Sequence, residues 1–313
     1  MKKLPPSIGI IGGGYIAAEY GHFFAAMGSR VTIIGRNARF LPDEEPEISG
    51  LATNELSKHM TIMTNTAVTE VGSSSSGKTM TGANRSAGEM VSVIVDEVLV
   101  AAGRASNADI LHPERAGITT DQDGWMITNE YFETSQPGIW AFGDATGRYL
   151  FKHVANFESQ VVYYNAFFQK RVPMDYHAIP HAVFTHPEIA AVGMGEREAV
   201  EKYGKDNILM GLSRYEETAK GTAMGIQGCF VKIIAHRENE RILGAHIIGP
   251  QASVLIQELI DLMYTPDGSA APVRKGMHIH PSLSEVVERA VAALMPVDMY
   301  YHVRQHEKDD GHP

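Results

Sequence analysis

Apolar and polar positions alternate through the first hundred residues in a way that assigns one element after another. "SIGII" (7–11) is a continuous apolar run closed by three glycines, as expected of a buried strand. Apolar positions then recur at helical spacing as far as Met27, Gly28 ends the pattern, and "RVTII" (30–34) is β-branched and strand-like. The order so far is strand, helix, strand. Helical spacing returns over Pro46–His59, and "MTIMTNTAVTEV" (60–71) is again strand-like. The polar low-complexity stretch 72–88 is expected to be a hairpin tip or mobile connection, with "MVSVIV" and "EVLVAAG" returning as strands of one sheet.

Further along, "PGIWAFGDATG" (137–147) is expected as a buried strand ending at Gly143-Asp144, followed by a helix over His153–Lys170. The prolines of "RVPMDYHAIP" (171–180) suggest a linker. Beyond it, "HAVFTHPEIAAVGM", "GCFVKIIAHRENERILGAHIIG" and "ASVLIQELIDLMY" place strands and helices in blocks, the pattern of an α+β domain. The apolar content of the first of these fits a two-fold interface or a domain core equally well. The closing "HVRQHEKDDGHP" is polar and expected to fray.

Composition narrows the class. A net charge of -10 with no basic stripe argues against a nucleic-acid surface. The apolar runs are too short and too interrupted to span a bilayer, which takes about 20 residues. "MKKLPPS" puts Pro5 and Pro6 where a signal peptide needs an apolar helix, so the cytoplasm is the expected compartment. The single cysteine, Cys229, excludes a disulfide within these 313 residues and is expected to be a buried structural thiol.

Gly12-Gly13-Gly14-Tyr15-Ile16-Ala17 fits G-x-G-x-x-G/A between a strand and a helix. Gly12 permits the tight turn, Gly14 lets the backbone approach a pyrophosphate, and Ala17 lets the helix pack closely on the strand. An NAD site would place an acid about 20 residues on, to bond the ribose 2′-OH. Gly35 stands there, followed by Arg36 and Arg39, whose guanidinium forks suit a 2′-phosphate. NADP is the expected nucleotide; NAD with two solvated arginines is the alternative. In "HIHPSLSE", His280 and Glu285 stand five residues apart, with Pro281 after the histidine. Read without further context, His278 and His280 on one strand face could hold a metal, although no third ligand is identifiable.

Six segments in order, "GIIGGGYIAAE", "DEVLVAAGRASNADIL", "ETSQPGIWAFGDATG", "FTHPEIAAVGM", "ILGAHIIGPQAS" and "HIHPSLSEVVERA", resemble the flavin-dependent pyridine nucleotide-disulfide oxidoreductases, the class of dihydrolipoamide dehydrogenase, glutathione reductase and mycothione reductase. The resemblance implies an α/β chain with a Rossmann-like NAD(P)-binding domain over 1–103 and the second segment of a discontinuous FAD-binding domain over 104–172. A C-terminal α+β dimerisation domain over 177–300 and a tail over 301–313 complete it. It implies FAD and NAD(P) as cofactors, a homodimer and a small disulfide substrate. By resemblance, Gly103 and Arg104 follow the last nucleotide-domain strand, and Gly143 and Asp144 meet FAD. Glu19 pairs with a lysine beside the flavin that would lie in the absent first segment, and Tyr15 is an aromatic gate. His280 is the acid-base toward the substrate thiol, oriented by Glu285. The family's first FAD segment and its C-x-x-x-x-C pair have no counterpart in the sequence, so the chain is expected to be incomplete and, alone, inactive as a disulfide reductase. The alternatives are a non-catalytic nucleotide-binding and dimerising fragment, or one subunit of a split enzyme whose separate partner chain supplies the FAD segment.

Overall fold

The structure, a computed structural model, describes residues 3–168 and 170–309. The chain divides into two compact units, one formed by Met1–Ala102 with Pro180–Pro313 and the other by Gly103–Ile179.

In the first unit, β1 (Ser7–Ile11), α1 (Tyr15–Ala26), β2 (Arg30–Ile34), α2 (Pro46–Ser57) and β3 (Thr61–Met63) follow the predicted order. α1 buries Ala17, Ala18, Gly21 and Phe24, one stripe at helical spacing, and a Cβ on Gly21 would come within 2.8 Å of Ile33. That close approach fixes the helix on the strand. Pro46 opens α2, where its missing N–H costs nothing. β4 (Thr66–Ser74), β5 (Gly77–Asn84), β6 (Met90–Val95) and β7 (Glu97–Val100) come next.

Two expectations are corrected here. The polar stretch 72–88 is a hairpin only at its tips: Gly77–Asn84 is a full strand paired to both neighbours, because its alternating Lys78, Met80 and Gly82 fit a sheet with Met80 fully buried. β6 and β7 also do not share a sheet. β6 closes the antiparallel sheet β4-β5-β6, and β7 crosses at Asp96 into the parallel sheet β3-β2-β1-β7. The Ser7 hydroxyl donates to the Asp96 carboxylate at 2.5 Å and accepts the Asp96 N–H at 3.0 Å, which pins the crossing to β1.

The second unit is built on α3 (Lys152–Phe168), whose Val154, Glu158, Val161 and Asn165 form one buried stripe. Asn165 holds Tyr131 and Val172 by their backbones. The Glu158 carboxylate accepts the Gly143 N–H and the Tyr176 hydroxyl, each at 2.5 Å. "PGIWAFGDATG" departs from the expected strand. It makes only the isolated bridge Glu133–Trp140 and then a 3-10 turn over Gly143–Thr146, so the apolar run has no ladder within the unit.

The remainder of the first unit is a six-stranded antiparallel sheet, ordered β13-β10-β11-β12-β9-β8. Its elements are β8 (Pro180–Val183), β9 (Ile189–Gly193), α4 (Glu196–Tyr203), β10 (Ile208–Arg214), α5 (Ala219–Ala223), β11 (Phe230–His236) and β12 (Ile242–Ile248). The helices α6 (Ala252–Leu255), α7 (Gln257–Met263), α8 (Ala271–Lys275) and α9 (Glu285–Ala292), the short β13 (Met295–Pro296) and α10 (Val297–Asp309) complete it. The apolar β8–β9 stretch resolves as core, since Val183, Ile189, Ala190, Ala191 and Val192 are all buried by the chain itself. The closing segment is helical through Asp309 rather than frayed, and residues 310–313 lie outside the described residues. No helix among the described residues is long and apolar enough to cross a membrane.

β11 carries the most unusual core residue. Lys232 is fully buried, and its ammonium donates to Glu45 (2.7 Å), Glu47 (3.0 Å) and Glu196 (2.7 Å), so all three protons are used. Glu45 and Glu47 sit at the start of α2 and Glu196 at the start of α4. The lysine therefore ties the parallel-sheet layer to the antiparallel one. The three glutamates form a donor set of the kind that holds cations, and here the cation is the lysine.

Candidate nucleotide site and acid-base pair

The glycine turn leaves β1 and enters α1. Gly12 has φ +136°, and a Cβ there would lie 2.2 Å from the Ala101 carbonyl oxygen, so this position takes only glycine. Gly14 is different. It has ordinary extended angles (φ -93°, ψ -171°), and a Cβ would meet nothing within 4 Å. Nothing in the protein itself requires glycine there, and the open space lies at the first turn of α1, where backbone N–H groups have no helical partner. Ala17 is fully buried, and Ile16 and Tyr15 are half-buried, with Tyr15 packed against the apolar cluster that contains Phe40 and Leu41.

Gly35 ends β2 directly against this turn. A Cβ on it would lie 3.3 Å from the Gly13 Cα, a close contact that the glycine turn would have to yield to by a few tenths of an ångström. Arg36 and Arg39 follow on the surface, Arg39 donating to the Pro42 carbonyl at 3.3 Å. The structure brings a third arginine here that sequence spacing does not reveal: Arg85, from the β5–β6 turn, donates to the Arg36 carbonyl at 3.1 Å. The acids just beyond the loop face the other way. Glu44 bonds His181 at 2.7 Å, and Glu45 is taken up by Lys232.

The Glu19 carboxylate accepts the Phe184 N–H at 3.0 Å. No lysine contacts it among the described residues.

His280 and Glu285 are paired as the resemblance implied, Nδ1 to Oε1 at 2.8 Å. The other Glu285 oxygen accepts the Ser282 N–H at 2.9 Å. These bonds, the histidine's first, hold the Glu285 carboxyl below the usual range. The imidazole is 68% exposed while the carboxylate is 12% exposed, an oriented ring with one nitrogen engaged. The alternative of a metal-binding strand face is corrected. Residues 277–281 form no strand, and His278 pairs with Glu258 at 3.6 Å while His280 pairs with Glu285. The helix α9, with Val286, Val287, Ala290 and Val291 buried, fixes Glu285 in place.

In the second unit, the Arg104 guanidinium pairs with the Asp144 carboxylate and donates to the Leu150 carbonyl at 3.4 Å. Gly103 precedes it at φ +139°. Asp144 remains 47% exposed on an open cleft of about 500 Å³ lined by Arg104, Phe142, Gly143, Leu150 and Lys152. An exposed carboxylate beside a glycine turn, with an apolar wall and flanking cations, fits one end of a flavin dinucleotide.

Cys229 lies just before β11, buried, and burial followed by the charges of Glu216 and Glu55 pushes its thiol up to about 12. A thiol that stays protonated and covered is inert. We expect native protein to give no fast reaction with an aromatic disulfide reagent at pH 8, and one equivalent per chain after denaturation; fast native reaction would contradict this.

Two family models match the chain: pyridine nucleotide-disulphide oxidoreductase over residues 1–169, and the dimerisation domain of the same family over 179–291. Among curated relatives, mycothione reductase of Mycobacterium tuberculosis is 40% identical over 299 residues, 94% of this chain and 63% of that protein. Dihydrolipoyl dehydrogenase of Chlamydia pneumoniae is 34% identical over 289 residues, 91% of this chain and 60% of that protein. The solved structure of the HOCl-induced flavoprotein disulfide reductase RclA from Escherichia coli superposes with a TM-score of 0.83 at 27% identity, covering 93% of this chain and 66% of that one. The chain thus spans somewhat under two thirds of the length of these curated relatives. With the parallel and antiparallel sheets in place and both family models matched, the chain belongs to the pyridine nucleotide-disulphide oxidoreductases, a family of FAD-dependent, NAD(P)-binding flavoproteins.

Proposed function

We propose that this chain supplies the pyridine-nucleotide site and the thiol acid-base pair of an FAD-dependent disulfide oxidoreductase, with NADPH as the preferred nucleotide and a homodimer as the working form. The observation that carries this reading is Gly14: a glycine with ordinary angles, facing open space at the start of α1, where the missing side chain lets a ligand's phosphates approach the helix N–H groups. The α1 N–H groups would receive the pyrophosphate, and Arg36 and Arg39 the 2′-phosphate that Gly35 leaves room for.

Asp144 and Arg104 are the residues that would hold the FAD ribityl and pyrophosphate end; the flavin, when bound, supplies the hydride acceptor. His280 does the proton work. With Nδ1 engaged by Glu285, Nε2 is the nitrogen left to take a proton from a thiol and return it, which matters because the thiolate is the reactive form. The homodimer rests on the dimerisation-domain match.

The substrate class is a small disulfide, for which the 40% identical mycothione reductase is the guide. Because one cysteine cannot form a disulfide within the chain, a redox disulfide working with this site would come from other polypeptide. Alone, the chain binds nucleotide without reducing disulfides.

The test is a calorimetric titration of the purified chain with NADPH and with NADH. NADPH should bind at least about tenfold more tightly, the gain expected from one or two charge-assisted phosphate contacts. Equal affinity, or no binding of either, would overturn the reading.

A further inference from the structure

The turn between β5 and β6 belongs to the antiparallel sheet, far in sequence from the glycine turn, yet it is fastened to the end of β2. Asn65, in the left-handed region at φ +51°, makes the fastening. Its N–H donates to the Asn37 carbonyl (2.7 Å), its carbonyl accepts the Arg85 N–H (2.7 Å), and its side-chain amide donates to the Ser86 hydroxyl (2.6 Å). Beside it, the Thr66 N–H donates to the Gly35 carbonyl at 2.9 Å. The hairpin turn is stiffened by Asn84, whose side-chain oxygen accepts the N–H groups of Ser86 (3.0 Å) and Ala87 (2.9 Å). The loop after β2 and this turn are therefore one hydrogen-bonded body, and Arg85 is the side chain it projects toward Arg36.

The charge balance around that body is unusual. Arg36, Arg39 and Arg85 are all exposed, and among the described residues none of the three is paired with a carboxylate, although the chain as a whole carries a net charge of -10. Three arginines carried on one hydrogen-bonded body concentrate positive charge of the kind an anionic ligand meets. Three of the acids that follow the loop are engaged elsewhere: Glu45 and Glu47 bond Lys232, and Glu44 bonds His181.

We propose that Arg85 is a specificity-determining residue for the nucleotide, a third guanidinium that receives the ribose 2′-phosphate together with Arg36 and Arg39. This rests on the NADPH reading above and extends it to a residue on another sheet. A dianionic phosphate monoester has enough acceptor oxygens for three forks, and a fixed turn presents the third fork without further ordering.

The experiment titrates wild type, Arg85→Ala and Arg85→Lys with NADPH, NADH and adenosine 2′,5′-bisphosphate, with circular dichroism and a thermal melt for each protein. Wild type should prefer NADPH. Arg85→Ala should weaken NADPH and the bisphosphate about tenfold and leave NADH within about twofold, with Arg85→Lys in between. If wild type prefers NADPH and Arg85→Ala binds all three as wild type does, the proposal fails while the NADPH reading stands. Equal weakening of NADPH and NADH would assign Arg85 a purely structural role through the Arg36 carbonyl and would also overturn it. Should Arg85→Ala melt early, Arg85→Lys decides by the same comparison. Wild type that does not separate NADPH from NADH removes both readings together.

Discussion

Lys232→Met should lower the free energy of unfolding by about 3–5 kcal/mol, the cost typical of breaking a buried ion cluster by removing one member. The lysine is fully buried, Glu45 is 8% exposed, and Glu196 is 18% exposed, so the substitution strands carboxylates with no counter-ion and little water. Methionine fills most of the volume, so the loss is electrostatic rather than a cavity. Urea denaturation of both proteins at pH 7 measures it. Adding Glu45→Gln to Lys232→Met should recover part of the loss, because the double variant no longer buries that unpaired charge.

The pH dependence follows from the same cluster. Burial pushes the Glu45 carboxyl up, but the charge of Lys232, then His246, outweighs it and the group sits below its usual value. A lowered carboxyl stabilises the fold above its ordinary range near about 4.3 and loses that contribution as pH falls through its lowered folded value. Lys232 is shifted the opposite way: burial pushes it down, but the surrounding glutamates, Glu47 first, raise it, so its contribution persists through neutral pH and is lost only in strong alkali. The stability gap between wild type and Lys232→Met should therefore shrink as pH is lowered from 7 toward 3. A gap independent of pH would show that the lysine acts by packing alone.

The second large effect concerns the glycine turn, where two adjacent substitutions should separate cleanly. Gly12→Ala meets the Ala101 carbonyl at 2.2 Å and an unfavourable φ of +136°. The backbone conformation alone costs about 1–3 kcal/mol, and the clash adds to it. Gly12→Ala should thus lower both the melting temperature and nucleotide affinity. Gly14→Ala adds a methyl to empty space at permitted angles, so stability should be unchanged or higher by up to about 1 kcal/mol. Nucleotide affinity should nevertheless fall at least about tenfold, because the methyl occupies the space the pyrophosphate approaches through. Thermal melts and NADPH titrations of the two variants check this; an unaffected affinity in Gly14→Ala would remove the main support for the site.

What the sequence displayed was local. The strand, glycine turn and helix at Ser7–Ala26 were legible because apolar spacing, glycine and the buried Ala17 all act within one turn of chain. The His280–Glu285 pair was legible only through the family resemblance of "HIHPSLSEVVERA", and the structure closes it with a direct hydrogen bond. Residues whose roles depend on another sheet were not. Lys232 sits in a run that alternates like any half-buried strand, and its three glutamates come from 36, 185 and 187 residues away. Arg85 hid in a stretch whose serines and glycines resemble a loop, although its backbone is a ladder up to Asn84. The crossing at Asp96 was invisible because β6 and β7 have the same apolar character, and only pairing partners distinguish their sheets. "PGIWAFGDATG" erred the other way: its apolar content was right for a strand, but within its unit it has a single bridge partner at Glu133.

The claim that the Gly12–Ala17 turn is a pyridine-nucleotide site is tested most directly by hydrogen–deuterium exchange of the chain with and without saturating NADPH. Slowed exchange confined to residues 12–18 and to the Gly35–Leu41 loop with its Arg85 turn is the result this structure predicts. Unchanged exchange in those segments, or protection located only elsewhere in the chain, would contradict it.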